Sequence, residues 1–183
     1  MIDLKGASVA LVGLGDSQRE YTSSVANGAE YDEVWVVNSM LAPIKHDRVF
    51  MMDPPSRFFD TDLAGKQTSA LRRELPKHPG PIYTCELDSR VPGAVLYPLE
   101  KIIEKTGLCY FNNTIPYAIA FAIYNEIEKL KTMMLFLIRR KAKESNGHCG
   151  FHLKELEPVL QKLVDEGKVE LRPTINSNKY FLK

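Results

Sequence analysis

The stretch VALVGLGDSQREYTSS, residues 9–24, decides how the rest of the chain is read. ASVALVG, Ala7–Gly13, is a short, continuous run ended by glycine, the pattern of a buried strand. Gly15 follows two residues later. A polar, helix-capable segment then begins, with Asp16 or Ser17 placed to cap it. Strand, glycine bend and helix in that order open a parallel sheet, because such a strand needs a crossover to reach its neighbour. The bend has a chemical meaning as well. Glycines let a backbone approach a ligand closely, and the N-terminus of the next helix favours anions. Gly13, Gly15 and Ser17 are therefore candidate ligand-binding residues, and a plain tight turn is the competing reading.

The same alternation continues outward from this stretch. Residues 32–38 (DEVWVVN), 48–53 (RVFMMD) and 81–86 (PIYTCE) read as further strands, and 108–112 (LCYFN) as a fifth. Helices are expected over 17–27, 62–75 and 98–106, the last stopped by Gly107. A strong one follows Asn113 or Thr114, with Pro116 in its first turn. The fold class is α/β: a Rossmann-like, mostly parallel, doubly wound sheet over residues 1–128, with a small winged helix-turn-helix-like domain over 129–183.

In such sheets ligands sit beyond the carboxyl ends of the strands, where strand order reverses. The residues expected there are polar: the Gly13–Ser17 bend, Asn38, Asp53, Glu86, and Asn112 with Asn113. Gly13, Gly15, Ser17, Asn38, Asp53 and Asn112 make up the candidate ligand site. The glycine pattern is not that of ordinary NAD binding, since position 18 is Gln rather than Gly and Asn38, not an acidic residue, ends the second strand. Asp16 opposes a phosphate unless it caps the helix or a metal intervenes. His46 and Asp47, in IKHDRVF, have the elements of an acid–base pair. With no nucleophile motif beside them, satisfaction of backbone groups in the loop before the third strand is the favoured reading. MMDPPSRFF (51–59) reads as a rigid, aromatic-flanked loop, either a pocket wall or simply the turn out of the third strand.

VALVGLGDS, DEVWVVNSM and KHDRVFMMD together resemble the Rossmann-like glycosyltransferase and pyrophosphokinase-type families, which open with a G-x-G-P-S loop and place an Asn after the second strand. That resemblance implies nucleotide contact by Gly13, Gly15 and Ser17 with Asn38 beside them, although Asp16 stands where proline is usual. Over residues 7–128, IKHDRVFMMD, GPIYTCELD and YFNNTIPYAIAFAIY are similar to proteins of tailed bacteriophages and prophages, a likeness that carries no activity with it. Those proteins continue past the Asn-Asn-Thr helix into a strand ending in a Gly-x-Asp stretch, which is absent here.

From Lys129 the pattern changes. TMMLFLIRRKAKESNG runs from apolar to basic. Leu153, Leu156, Leu160, Leu163 and Val164 then share one helical face, and KVELRP and KYFLK flank a polar turn. Helices followed by a two-stranded wing resemble a winged helix. That resemblance implies nucleic-acid contact by Arg139, Arg140, Lys154, Lys162, Arg172 and Lys179. Pro158 and the interspersed acidic residues support a protein-contact or homodimer role instead. In a competing reading Thr132–Ile138 is one more strand of the first sheet. His148, Cys149 and His152 offer three metal ligands at atypical spacing with no fourth, so no metal site is expected.

Composition limits the classes. The 183 residues are 44% hydrophobic and 26% charged, ordinary for a globular chain. No signal-peptide pattern and no apolar run near the ~20 residues of a membrane span is present. Three widely spaced cysteines suit reduced thiols, and a cytoplasmic location is expected. Residues 1–128 hold 12 basic and 17 acidic side chains, a net of −5, whereas 129–183 hold 12 and 6, a net of +6. That asymmetry implies modules with different partners. The expectation is a two-module phage- or prophage-type binding protein: a Rossmann-like domain with a nucleotide-class ligand, and a winged-helix module engaging nucleic acid or a host protein in a regulatory or inhibitory role. The alternatives are a nucleotide- or nucleotide-sugar-dependent transferase using Ser17, Asn38, Asp53 and Asn112 with His46 assisting, and an interaction protein whose pocket is empty. No cofactor is assigned.

Overall fold

The structure, a computed structural model, describes residues 4–15, 18–62, 64–108, 111, 113–127, 129–132, 169–174 and 177–182. Six strands, β1 (Ser8–Val12), β2 (Glu33–Val37), β3 (Arg48–Phe50), β4 (Ile82–Thr84), β5 (Ala94–Leu96) and β6 (Lys129–Thr132), form one sheet in the order β5-β4-β3-β2-β1-β6. Every pairing in it is parallel. The helices are α1 (Gln18–Ala26), α2 (Ser56–Phe59), α3 (Gln67–Glu74), α4 (Leu99–Thr106) and α5 (Thr114–Tyr124).

The strand order explains the layers. From β1 to β5 the chain steps in one direction, so right-handed crossovers hold α1, α2 and α3 on one face. It then returns past β1 to lay down β6, and that reversal puts α4 and α5 on the other face. The period-2 alternation of the strands feeds both. Val9, Leu11, Trp35, Val37, Phe50 and Tyr83 pack with Ile102, Ile115, Ala118 and Phe121 of α4 and α5. Val12, Val36, Val49, Met51 and Ile82 pack with Phe58, Leu71 and Leu75 on the α2–α3 side. Trp35, Phe50 and Phe121 meet at 5.3–5.6 Å between ring centroids.

Local chemistry sets the element ends. Asn113 caps α5, its Oδ1 accepting from the Ile115 N–H at 3.0 Å, with Pro116 in the first turn as expected. Gly107 ends α4 in the left-handed region at φ 71°. Asp32 and Asp47 accept from the backbone N–H groups of Ser8 and Val34, each at 2.7 Å. These carboxylates thus pin the amino ends of two strands.

Three features depart from the expectations. The strand after β4 is Ala94–Leu96, an edge strand that the sequence does not announce. The expected LCYFN strand is not seen at Leu108 or Phe111, and Cys109, Tyr110 and Asn112 lie outside the described residues. MMDPPSRFF contains the short helix α2 rather than loop alone. β6 also bears on the division of the chain. Residues 129–132 pair with β1, in register Ser8 with Lys129 through Leu11 with Thr132, so the first sheet extends past residue 128.

Beyond it, β7 (Val169–Thr174) and β8 (Ser177–Leu182) form an antiparallel hairpin, the two strands expected of the wing, and β8 runs near β6. The helices expected between residues 133 and 168 lie outside the described residues, as do His148, Cys149 and His152.

Candidate functional site

A helix that precedes a parallel strand must begin at the carboxyl edge of the sheet and run back to the amino edge. The reversal after β5 therefore carries the N-terminus of α5 to the carboxyl ends of β1, β2 and β3, the place where doubly wound sheets bind ligands. A cavity of about 440 Å³ lies there. Leu14 closes it from the bend after β1. Val37 and Asn38 come from the end of β2, and Met52 and Asp53 from just past β3. Phe111, Asn113, Thr114, Ile115 and Tyr117 come from the approach to α5 and its first turn. The volume falls in the range of small-molecule sites.

Of the sequence-predicted ligand residues, Asn38 and Asp53 line this cavity together. Gly13 and Gly15 flank Leu14 and are buried, and the Gly15 carbonyl accepts from the Gln18 N–H at 3.0 Å as α1 begins. Ser17 and Asn112 lie outside the described residues, as do Asp16, Arg139, Arg140, Lys154 and Lys162. Arg172 and Lys179 are register partners in the β7–β8 hairpin. Leu14 belongs to the bend expected on this rim and Met52 to the 51–59 loop for which a pocket wall is one reading, whereas sequence reasoning missed Phe111 and Tyr117. The signal for the aromatic pair is their position on either side of the Asn113 cap, which places them at the rim that the cap defines.

Asn38 has two unusual features. It occupies the left-handed region at φ 50°, which few residues other than glycine and Asn tolerate. Its side-chain carbonyl oxygen is also buried without a hydrogen-bond donor. A buried acceptor left unpaired costs about 1–3 kcal/mol, and such groups in native proteins call for an explanation. Asn38 lines the cavity, and a ligand that brings a donor to this oxygen recovers that cost.

Asn113 is engaged in capping α5, and Asp53 is held by a cation. Asp53 Oδ1 accepts from Arg57 Nη1 at 2.5 Å. Burial, with the Cys85 thiol nearby, raises the pKa of Tyr117, so its hydroxyl stays protonated and able to donate at neutral pH. Burial likewise pushes the Cys85 thiol up, with Glu86 and Asp53 adding to the shift, which is the opposite of an activated nucleophile. His46 is not part of this site. It stands at the amino end of β3, on the far edge of the sheet, and bonds to the Ile44 carbonyl at 2.6 Å and to His78 at 2.8 Å. With Asp47 on the Val34 N–H, the backbone-satisfying reading of this pair is the one observed.

Among the described residues no group of three or more His, Cys, Asp or Glu is placed to hold a metal ion, and no helix is long and apolar enough to cross a membrane. No protein-family model, no curated protein and no solved structure matches the chain.

Proposed function

We propose that this chain is a two-module binding protein. Its Rossmann-like module holds a small molecule of the nucleotide class in the cavity at the carboxyl edge, and its C-terminal basic module engages nucleic acid or a protein partner. The observation that carries the first part is the Asn38 side chain, a buried unpaired carbonyl on a left-handed backbone in the wall of a ligand-sized cavity. Strain and unmade hydrogen bonds are tolerated in a fold where a ligand benefits from them. Binding is favoured over group transfer by the state of the candidate catalytic groups. Asp53 is tied to Arg57, the Cys85 thiol is held protonated, and His46 lies on the opposite edge. The kinship with phage and prophage proteins belongs to the same proposal and fits a regulatory or inhibitory role.

A thermal-shift screen of the full chain against nucleobases, nucleosides, nucleotides and nucleotide sugars tests the reading. A ligand at a hundredfold excess over its Kd adds about 2.7 kcal/mol of stability, a shift of several degrees. Asn38→Gly accepts the left-handed backbone and removes the unpaired carbonyl, so its ligand-free midpoint should stay close to the parent's or rise while the ligand shift shrinks. A flat response across the panel defeats the proposal.

A further inference from the structure

The nucleotide-class reading leaves open which part of the ligand is recognised, and the inference below rests on that reading. Two of the cavity's aromatic walls stack on one another. The Phe111 and Tyr117 rings lie 4.5 Å apart between centroids and are tilted by only 31°. Tyr97 braces them from behind, meeting Tyr117 edge-on at 5.1 Å and donating its hydroxyl to the Tyr117 backbone carbonyl at 2.8 Å. A platform fixed in this way offers a π-face at little entropic cost on binding. Asn38 stands in the same cavity with an amide whose acceptor is unmatched.

The anion side is poorly provided. No Lys, Arg or His is among the described lining residues, whereas the carboxylate of Asp53 is. Arg57, one turn along from Asp53, is committed to that carboxylate. The α5 N-terminus has few donors to give, since the Ile115 N–H is taken by Asn113 and Pro116 has none. Among the described residues, a phosphate placed here meets a carboxylate whose one cation partner is already committed to it.

We infer that the cavity recognises the uncharged heteroaromatic base of a nucleoside, stacked on the outer face of the Phe111–Tyr117 pair with its polar edge against Asn38, and that the phosphates of a nucleotide add nothing to affinity. The site discriminates by base, and a nucleoside is as good a ligand as its triphosphate.

Calorimetric titration of the full chain with the common nucleosides and their 5′-mono- and triphosphates reads this directly. For the preferred base, nucleoside and triphosphate should bind within about threefold of each other, with little change between about 50 and 200 mM salt. Phe111→Ala should weaken both by roughly tenfold or more through loss of stacking. Tyr117→Leu should do the same and Tyr117→Phe restore affinity, which separates loss of the ring from loss of folding. A triphosphate that binds more than about tenfold tighter than its nucleoside, with affinity falling steeply as salt rises, overturns the inference and leaves the nucleotide-class reading standing. Absence of binding by every member of the panel overturns both.

Discussion

Glu33 and Arg48 are two charges taken out of water, 4% and 7% exposed, and the sheet tolerates them because each is fully matched. Arg48 grips Glu33 through Nε at 2.6 Å and Nη2 at 2.8 Å, Trp35 donates its indole N–H to the same carboxylate at 2.6 Å, and Arg48 Nη1 reaches the Tyr83 hydroxyl at 3.0 Å. These are alternate residues of adjacent strands, so the pleat stacks them on one face by construction. Removing one partner strands the other, and Glu33→Ala is expected to lower unfolding stability by about 3–5 kcal/mol in a denaturant titration. The double replacement Glu33→Met with Arg48→Met should recover most of that loss, because a matched apolar pair has no desolvation cost to offset. A single variant as stable as the parent removes this account of the pair. Asn38 contrasts with these residues, being half-buried and only partly satisfied, which is why it marks the cavity and they do not. Asn38 and Asp53 were legible in the sequence because polar residues that end successive strands must come out on one rim. Phe111 and Tyr117 were not, since an aromatic beside an apolar helix start reads as core.

His46 and His78 join two connecting segments at the amino edge of the sheet. His78 Nδ1 accepts from the Gly80 N–H at 2.9 Å, so a neutral His78 carries its proton on Nε2 and donates it to His46 Nε2 at 2.8 Å. His46 in turn donates from Nδ1 to the Ile44 carbonyl at 2.6 Å. This assignment follows from the partners each nitrogen has. A second proton on either ring would set N–H against N–H. The junction has little room to rearrange, since a Cβ at Gly93 would stand 2.6 Å from both the His78 carbonyl oxygen and the Gly80 nitrogen. Burial, together with the neighbouring His46 and against the pull of Glu74, lowers the pKa of His78 below its ordinary 6.5. The folded protein thus binds this proton less readily than the unfolded chain, and stability falls as pH drops through about 6.5. The loss is bounded by one proton, about 1.4 kcal/mol per pH unit. Thermal midpoints measured from pH 7.5 to 5.5 should decline, and His78→Gln should flatten the decline; an unchanged slope in that variant rules out the pair as its source. Most elements were legible, because each apolar run had a glycine, proline or cap at its end. β5 was not. Its three residues sit between Pro92 and Pro98 with Val95 and Leu96 exposed, so the segment lacks the buried run that identifies the central strands.

At the scale of the whole chain, the strand β6 shows how far the first module reaches. The sheet closes its second edge with residues 129–132, so a division at residue 128 cuts through one folded layer. A six-residue apolar run such as MMLFLI cannot distinguish strand from helix by periodicity; the competing reading sets a further strand at Thr132–Ile138, whereas the pairing observed with β1 is at Lys129–Thr132 and residues 133–138 lie outside the described residues. The charge argument survives the shift. Residues 1–132 hold 14 basic and 17 acidic side chains, and 133–183 hold 10 and 6, so the net still changes sign from −3 to +4. The β7–β8 hairpin sets Arg172 opposite Lys179 in register, concentrating two of these cations at one level of the proposed wing. If that module holds nucleic acid, it does so through phosphates, and affinity measured by mobility shift of the full chain on duplex DNA should fall steeply between about 50 and 200 mM salt. Replacing Arg172 and Lys179 together by Ala should weaken binding on every sequence alike and reduce the salt slope by about two, one for each phosphate left without its cation. The thermal midpoint of the double variant should hold, which separates lost phosphate contacts from lost folding. Binding that is absent at low salt, or unchanged in the double variant, assigns the basic module to a protein partner instead.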